Sequence, residues 1–275
     1  MKIKFTSEFK WHIILILFVF VSLFPIVFAI SSSFKSLNEA YSNVLAIIPV
    51  KPTINNYIEV FTRLPFLQIT GNTFFIAGCV TLFKTITAVF AAYAFVYFDF
   101  KYKNIIYFIL ISTIFIPFTV TMIPNYLTIS KLGFNDNLLG VILPQLSDAT
   151  GIFLIRQSMR TIPRSLIEVA KLEKVNHLKI MKDIVVPLVK PAIISTGIMF
   201  FINSWNEYVW PVLILKSKEN FTLPLALQLF ISSEGGTDFT IAMAVSVVTM
   251  IIPLVLYIIF QKYIINTFAS SGIKG

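Results

Sequence analysis

Long apolar stretches recur along the chain, separated by more polar connections: Trp11 to Ile30, Ile69 to Tyr97, Ile105 to Met122, Leu138 to Ile155, Ala192 to Leu215 and Phe239 to Phe260. An α-helix needs roughly 20 residues to cross ~30 Å of hydrocarbon, so the pattern predicts an all-α membrane protein of about six transmembrane helices. Prolines punctuate several of these runs, at Pro25, Pro117, Pro144, Pro211 and Pro253. Membrane helices tolerate such breaks because neighbouring groups satisfy the freed backbone. The first run follows Lys2, Lys4 and Lys10, and Ala29 and Ser31 could mimic a signal-peptide cleavage site. It is longer than the ~7–15 apolar residues of a signal core, and further spans follow, so an uncleaved first helix is expected.

Between the fourth and fifth runs lies the longest connection on the side assigned below to the cytoplasm, about Arg156 to Lys190. Pro163 suits the first position of a helix, and Leu166, Ile167, Val169, Ala170 and Leu172 alternate with Glu168, Lys171 and Glu173 as in a short amphipathic helix. A second series, Val175, Leu178, Met181 and Val185, recurs every three or four residues and is expected to stop at Pro187. The loop is thus predicted to be structured. A basic amphipathic segment beside a membrane fits either an anionic lipid surface or a docking helix for a partner.

Composition reinforces the membrane reading: 57% of the 275 residues are apolar and 13% are charged, too greasy for a soluble domain to hide in one core. The formal charge of +9 is unevenly spread. With the N-terminus in the cytoplasm, 15 of the 22 Lys and Arg lie inside and 6 outside (Lys35, Lys51, Arg63, Lys131, Lys216 and Lys218), with Lys84 within a span. That bias places both termini in the cytoplasm, and topology accounts for the basic charge better than nucleic-acid binding does. Cys79 is alone and reads as a small packing residue, and His12 and His177 have no cysteine neighbours, so no metal site is expected. No phosphate-cradling G-x-x-x-x-G-K-[ST] loop, G-x-S-x-G elbow or H-E-x-x-H pair occurs, so neither ATP binding nor intramembrane hydrolysis has visible machinery.

Several polar or aromatic residues fall inside or at the ends of spans. Trp11, Tyr107, Tyr208 and Trp210 suit an interfacial aromatic belt, and Trp205 could also stack on a sugar. About 1.5 Å per residue from Ala192 places Glu207 roughly three-quarters of the way across. A carboxylate there is either part of a path or a partner in a hydrogen bond between helices, with Asn203 and Asn206 beside it. Lys84 fits a polar bundle face, or snorkels toward the inside.

At the polar loop the sequence resembles a known family. Glu168-Val169-Ala170, Glu173, Ile184-Val185-Val186-Pro187-Leu188 and Pro191 resemble the EAA loop of ABC importer permeases. Elsewhere Ser33-Phe34-Lys35, Asn55-Asn56-Tyr57, Asn72-Thr73, Ala91-Ala92-Tyr93-Ala94, Ile123-Pro124-Asn125-Tyr126, Leu132-Gly133-Phe134, Ser204-Trp205-Asn206-Glu207-Tyr208, Thr222-Leu223-Pro224-Leu225 and Gly272-Ile273-Lys274-Gly275 are similar, in order and spacing, to the smaller permease of the carbohydrate-uptake branch, typified by the maltose importer.

The resemblance implies a type I ABC importer permease fold, a single transmembrane domain over residues 1–275 with a coupling loop at 156–190 and a tail at 263–275. It implies that Glu168, Val169, Ala170, Glu173 and Lys174 couple to the ATPase, with Glu168 and Ala170 at the contact. Lys174 stands where the family pattern has glycine, and a positive φ there would strain it by about 1–2 kcal/mol. The small, polar Thr267 to Gly275 would by themselves be a disordered stub, whereas the resemblance implies that Gly272, Ile273, Lys274 and Gly275 reach the ATPase interface. Asn203, Trp205, Asn206 and Glu207 are candidates for the translocation path.

The implied assembly has a second homologous permease, two copies of an ABC ATPase carrying ATP and Mg, and an extracytoplasmic sugar-binding protein, in the inner membrane of a bacterium or archaeon. No cofactor is expected on this chain, no nucleic acid among its partners, and no enzyme activity of its own. The expected function is the path for a sugar or oligosaccharide, with glycerol phosphate or another small polar solute as alternatives, and an ion-coupled transporter or channel as a different class.

Overall fold

The computed structural model describes residues 5–44, 46–231 and 239–272, and among these there are helices and turns but no β-strand. In chain order the α-helices are α1 (Phe5–Ser33), α2 (Leu37–Ser42), α3 (Asn55–Arg63), α4 (Phe66–Tyr97), α5 (Lys103–Ser112), α6 (Phe118–Lys131), α7 (Leu138–Ile142) and α8 (Ala149–Met159). They continue as α9 (Arg164–Leu172), α10 (His177–Ile180), α11 (Val186–Leu188), α12 (Lys190–Asn206), α13 (Val209–Ile214), α14 (Leu223–Ile231) and α15 (Phe239–Gly272).

Three helical stretches are by themselves long and apolar enough to cross a membrane: Phe9–Ser33, Phe66–Tyr97 and Phe239–Lys262. Three bent pairs qualify when each is taken as one span, giving up to six: Lys103–Phe115 with Phe118–Lys131 at 99°, Leu138–Gln145 with Ala149–Met159 at 44°, and His177–Leu188 with Lys190–Asn206 at 81°.

Each bend has a local cause. The stretch 105–122 is not one helix, because proline pushes the residue before it into extended backbone. Ile116 accordingly has ψ 114° and Pro117 ψ 140°, and α6 starts afresh at Phe118. In 138–155, Pro144 lies in a 3-10 turn, and Asp148 caps α8 by accepting from the Gly151 amide at 3.0 Å. In 192–215, Asn206 ends α12 and Glu207 takes extended backbone before α13 begins at Val209. Pro187 does not stop the preceding helix as expected. A π-turn at Met181–Val185 widens the backbone ahead of it, the chain stays helical to Leu188, and the bend comes at Val189 instead.

Cα packing divides the chain into two units, residues 1–66 with 226–252 and residues 67–225 with 253–275. In the first unit, the buried Asn56 side chain gathers three segments. Its Nδ2 donates to the carbonyls of Ser33 (2.7 Å) and Lys35 (2.8 Å), and its Oδ1 accepts from the Thr240 hydroxyl at 3.1 Å. Ser33 Oγ lies 2.7 Å from the Tyr57 hydroxyl. The end of α1 is thereby tied down, since buried polar groups are stable only when paired. Lys35, expected on an outer loop, is 1% exposed; its ammonium donates to the Ala46 carbonyl and sits 5.9 Å from the Phe28 ring. Most of α1 is exposed, with Ile16 at 68% and Phe18 at 70%.

In the second unit, α4 presents small residues inward. Ala77, Ala88 and Ala92 are fully buried, which lets neighbouring helices approach closely. Gly151 on α8 serves the same purpose, because a Cβ there would come 2.2 Å from Phe200 Cζ of α12. At one end of this unit, Asn72 Nδ2 donates to the carbonyls of Glu219 (2.7 Å) and Phe221 (3.1 Å), and the Leu223 amide donates to Thr73 Oγ1 at 2.9 Å. Trp210 Nε1 donates to the Gly140 carbonyl at 3.2 Å, joining α13 to α7.

Candidate functional site

The loop between α8 and α12 is an ordered pair of short helices. On α9 the apolar residues divide between two faces. Ile167 and Ala170, three apart and therefore on one side, are 3% and 7% exposed. Leu166, Val169 and Leu172, at 46%, 60% and 81%, point away, and Glu168 and Glu173 are exposed with them. Large apolar side chains left in the open at this spacing are what a docking helix offers a partner.

The inward face locks the loop to the spans. Ile167, Ala170, Ile180, Met181 and Val185 share one cluster with Ala88, Ala92 and Tyr93 of α4 and Ile152, Ile155 and Met159 of α8. Burying side chains such as Ile167, Ile180 and Val185 stabilises the attachment by roughly 1.5–3 kcal/mol each. Tyr93 adds direction: its hydroxyl lies 3.1 Å from His177 Nδ1 and donates to the His177 carbonyl at 3.2 Å. Phe98 stacks on the same imidazole at 4.4 Å.

Between α9 and α10 the chain turns at Lys174, with φ 57°. The Lys174 amide donates to the Lys171 carbonyl at 2.9 Å and the Val175 amide to the Ala170 carbonyl at 3.0 Å, the paired bonds of a Schellman cap. A left-handed residue is required there, so lysine in place of glycine carries the conformational cost anticipated from the sequence. Asn176 then caps α10 by accepting from the Leu178 amide at 3.2 Å.

The residues considered for a path separate from one another. Trp205 is fully buried, edge-on to Phe74 at 4.8 Å and stacked with Phe201 at 5.7 Å. Asn203 and Asn206 are exposed on one face of α12, where Asn206 Nδ2 donates to the Ile202 carbonyl at 2.9 Å. Glu207 occupies the break and caps α13, its Oε1 accepting from the amides of Val209 (2.9 Å) and Trp210 (3.2 Å). A carboxylate at a helix N-terminus satisfies otherwise unpaired amides and the helix dipole.

Sequence reasoning singled out Lys84 and missed its partner. Lys84 Nζ lies 3.4 Å from Asp148 Oδ2 and 5.4 Å from the Phe200 ring, so one ammonium links α4, the start of α8 and α12. The clue was available: Lys84, Asp148 and Glu207 are the only Lys, Arg, Asp or Glu in the six apolar stretches. A lysine in such surroundings calls for a carboxylate. Of the tail, Gly272 ends α15, so the backbone from Thr267 to Gly272 is helical rather than a stub; Ile273, Lys274 and Gly275 lie outside the described residues. Among the described residues, no three His, Cys, Asp or Glu side chains gather as a metal site.

Comparison with known proteins gives this geometry its setting. Residues 84–268 match the family described as "Binding-protein-dependent transport system inner membrane component". The chain belongs to this family. It is 29% identical, over 93% of its length and 92% of the relative's, to the arabinooligosaccharides transport system permease protein AraQ of Halalkalibacterium halodurans. It is also 29% identical, over 94% of its length and 95% of the relative's, to the sn-glycerol-3-phosphate transport system permease protein UgpE of Escherichia coli. Among solved structures, a chain of a bacterial ABC transporter involved in the import of the acidic polysaccharide alginate superposes with a TM-score of 0.83 at 25% identity, covering 96% of this chain and 98% of that one. A chain from the alginate transporter in complex with its pentasaccharide-bound periplasmic protein superposes with a TM-score of 0.70 at 13% identity, over 94% and 96%, a likeness of fold.

The protein is therefore a multi-pass inner-membrane permease of the carbohydrate-uptake type of ABC importer. ATP hydrolysis belongs to separate subunits. A permease pair, an ATPase, a substrate-binding protein and the membrane make up its general assembly.

Proposed function

We propose that this chain and a second, homologous permease enclose an alternating-access path for a sugar or oligosaccharide, with both termini in the cytoplasm and two ATPase copies, carrying ATP and Mg, docked below. The ATPase seat is the 163–187 loop, where Glu168, Val169, Glu173 and the turn at Lys174 face the partner and Ala170 holds α9 against the spans. The observation that carries this is the division of α9: Leu166, Val169 and Leu172 stand exposed while Ile167 and Ala170 are fixed in the core of α4 and α8. A push on the exposed face must move the spans to which the buried face is packed, because close-packed interiors transmit strain.

Asn203 and Asn206, exposed on α12, are the residues proposed to face the path, with the capped Glu207 and buried Trp205 supporting that end of the helix. Saccharide is the favoured substrate class because it is what AraQ and the alginate transporter carry by name. UgpE, equally similar, carries sn-glycerol 3-phosphate, which makes that solute the competitor to include in the assay. The residues Gly272 to Gly275 are proposed to touch the ATPase.

The test is a Glu168→Lys exchange in cells that carry the whole transporter. Uptake is expected to fall by about tenfold or more, since like charges set across an interface cost several kcal/mol. The permease should still reach the membrane in normal amount. Uptake at the unaltered rate would remove the loop from the ATPase contact.

A further inference from the structure

A cavity of about 590 Å³ opens where the C-terminal ends of α4 and α8 meet the start of α5, with α9 closing one side. Lys103, Arg156, Arg160, Arg164 and Lys171 line it, against the carboxylates of Asp99 and Glu168, leaving a net formal charge of +3 from these seven residues. Such an excess raises the local concentration of anions.

The positive charge is available. Among the described residues, none of the three arginines or Lys171 makes an ion pair, and only Lys103 has one, at 3.4 Å to a fully exposed Asp99 side chain. Arg156 is held by its face, with Cζ 3.8 Å from the Tyr107 ring centroid. Stacking on an aromatic ring leaves the edge of a guanidinium free to donate, and that edge is the geometry that grips phosphate. Arg160 makes only a 3.4 Å contact with Gln157 Oε1.

The surroundings of the cavity also suit a lipid. It sits at the ends of apolar helices, and next to it α5 carries exposed Ile105, Phe108 and Ile109, at 57%, 72% and 60%. A phosphate in the cavity would leave acyl chains to run along that face. Basic pockets between transmembrane helices on the cytoplasmic side are suited to phospholipid headgroups, and the positive-inside bias proposes that side for this end.

We propose that this cavity is a phosphate-binding site filled by the headgroup of an anionic phospholipid. Glu168 borders both the cavity and the surface assigned above to the ATPase, and the lipid would brace α9 there from the membrane side. Its occupancy is measured without transport, so this inference and the coupling assignment stand or fall separately.

The experiment uses the full-length chain, with the subunits that co-purify, reconstituted in nanodiscs of phosphatidylglycerol and phosphatidylcholine and then released for native mass spectrometry. The protein is expected to retain phosphatidylglycerol selectively. An R156Q/R160Q variant should retain it less, by about fivefold per arginine removed, and R156K/R160K should keep most of it. Arg160 is exposed, so R160Q alone gives the same reading, with a smaller effect, if the double variant fails to assemble. Equal retention by the parent and both glutamine variants would overturn the site. Displacement of the lipid by millimolar inorganic phosphate would overturn the lipid assignment and give the site to a soluble phosphate compound.

Discussion

Lys174 shows how much a single backbone angle can carry. Its positive φ closes the Schellman cap that turns α9 back toward α10, and a lysine side chain gives nothing in return for that conformation. Replacing it with glycine is expected to stabilise the turn by about 1 kcal/mol. Hydrogen exchange at the Lys174 and Val175 amides should slow accordingly, and faster exchange would contradict the strain. Lys84 and Asp148 illustrate the opposite case, in which each residue is costly alone and useful as a pair. Glu207, a candidate for the path by position, also caps α13 through Oε1.

At the level of elements, breaks matter as much as helices. The bend before α6, the π-turn before α11 and the gap after α12 each sit at a proline or a competing side-chain cap, so the sites of bending are fixed by local chemistry. One brace between loops depends on a titratable group. Asp136, just before α7 and outside the spans, has φ 51° and accepts through Oδ1 from the amides of Lys216 (2.9 Å) and Ser217 (3.0 Å) and from Asn220 Nδ2 (3.2 Å). The Lys216 amide above all, joined by the Ser217 and Asn220 donors, holds its carboxyl well below the usual carboxylate range, against a desolvation that acts the other way.

A depressed folded-state value means that the brace is at full strength above the ordinary aspartate pKa of about 3.9 and weakens as pH falls below it. Exchange protection at Lys216 and Ser217 should therefore be unchanged between pH 7 and 5 and decline only in stronger acid. An Asp136→Asn variant, still able to accept hydrogen bonds and tolerant of left-handed backbone, should lose that pH dependence. Protection that declines identically in both proteins would assign it to another group.

For the molecule as a whole, the transport role rests on family membership together with a loop whose two faces look in opposite directions. The tail is proposed above as a second point of contact with the ATPase. Deleting Gly272 to Gly275 is expected to lower uptake per ATP hydrolysed by severalfold while leaving the amount of permease in the membrane unchanged, which paired transport and phosphate-release assays would measure. An unaltered ratio would leave the tail without a role in coupling. Family membership also sets aside an ion-coupled carrier, the other class compatible with the spans.

The sequence by itself determined the number and rough extent of the apolar segments, the amphipathic loop, the family and the strained lysine. These follow from hydrophobic periodicity, from charge count and from the order of short motifs, all of which are local properties of the chain. It could not pair Lys84 with Asp148, 64 positions apart, or bury Lys35, or enclose Trp205 between Phe74 and Phe201. Nor could it gather Lys103, Arg156 and Arg160 around one cavity. Those outcomes depend on which helix faces meet. Where nearly every residue of a span is apolar, the pattern carries little information about facing, and the choice falls to close packing of small residues and the pairing of the few polar ones.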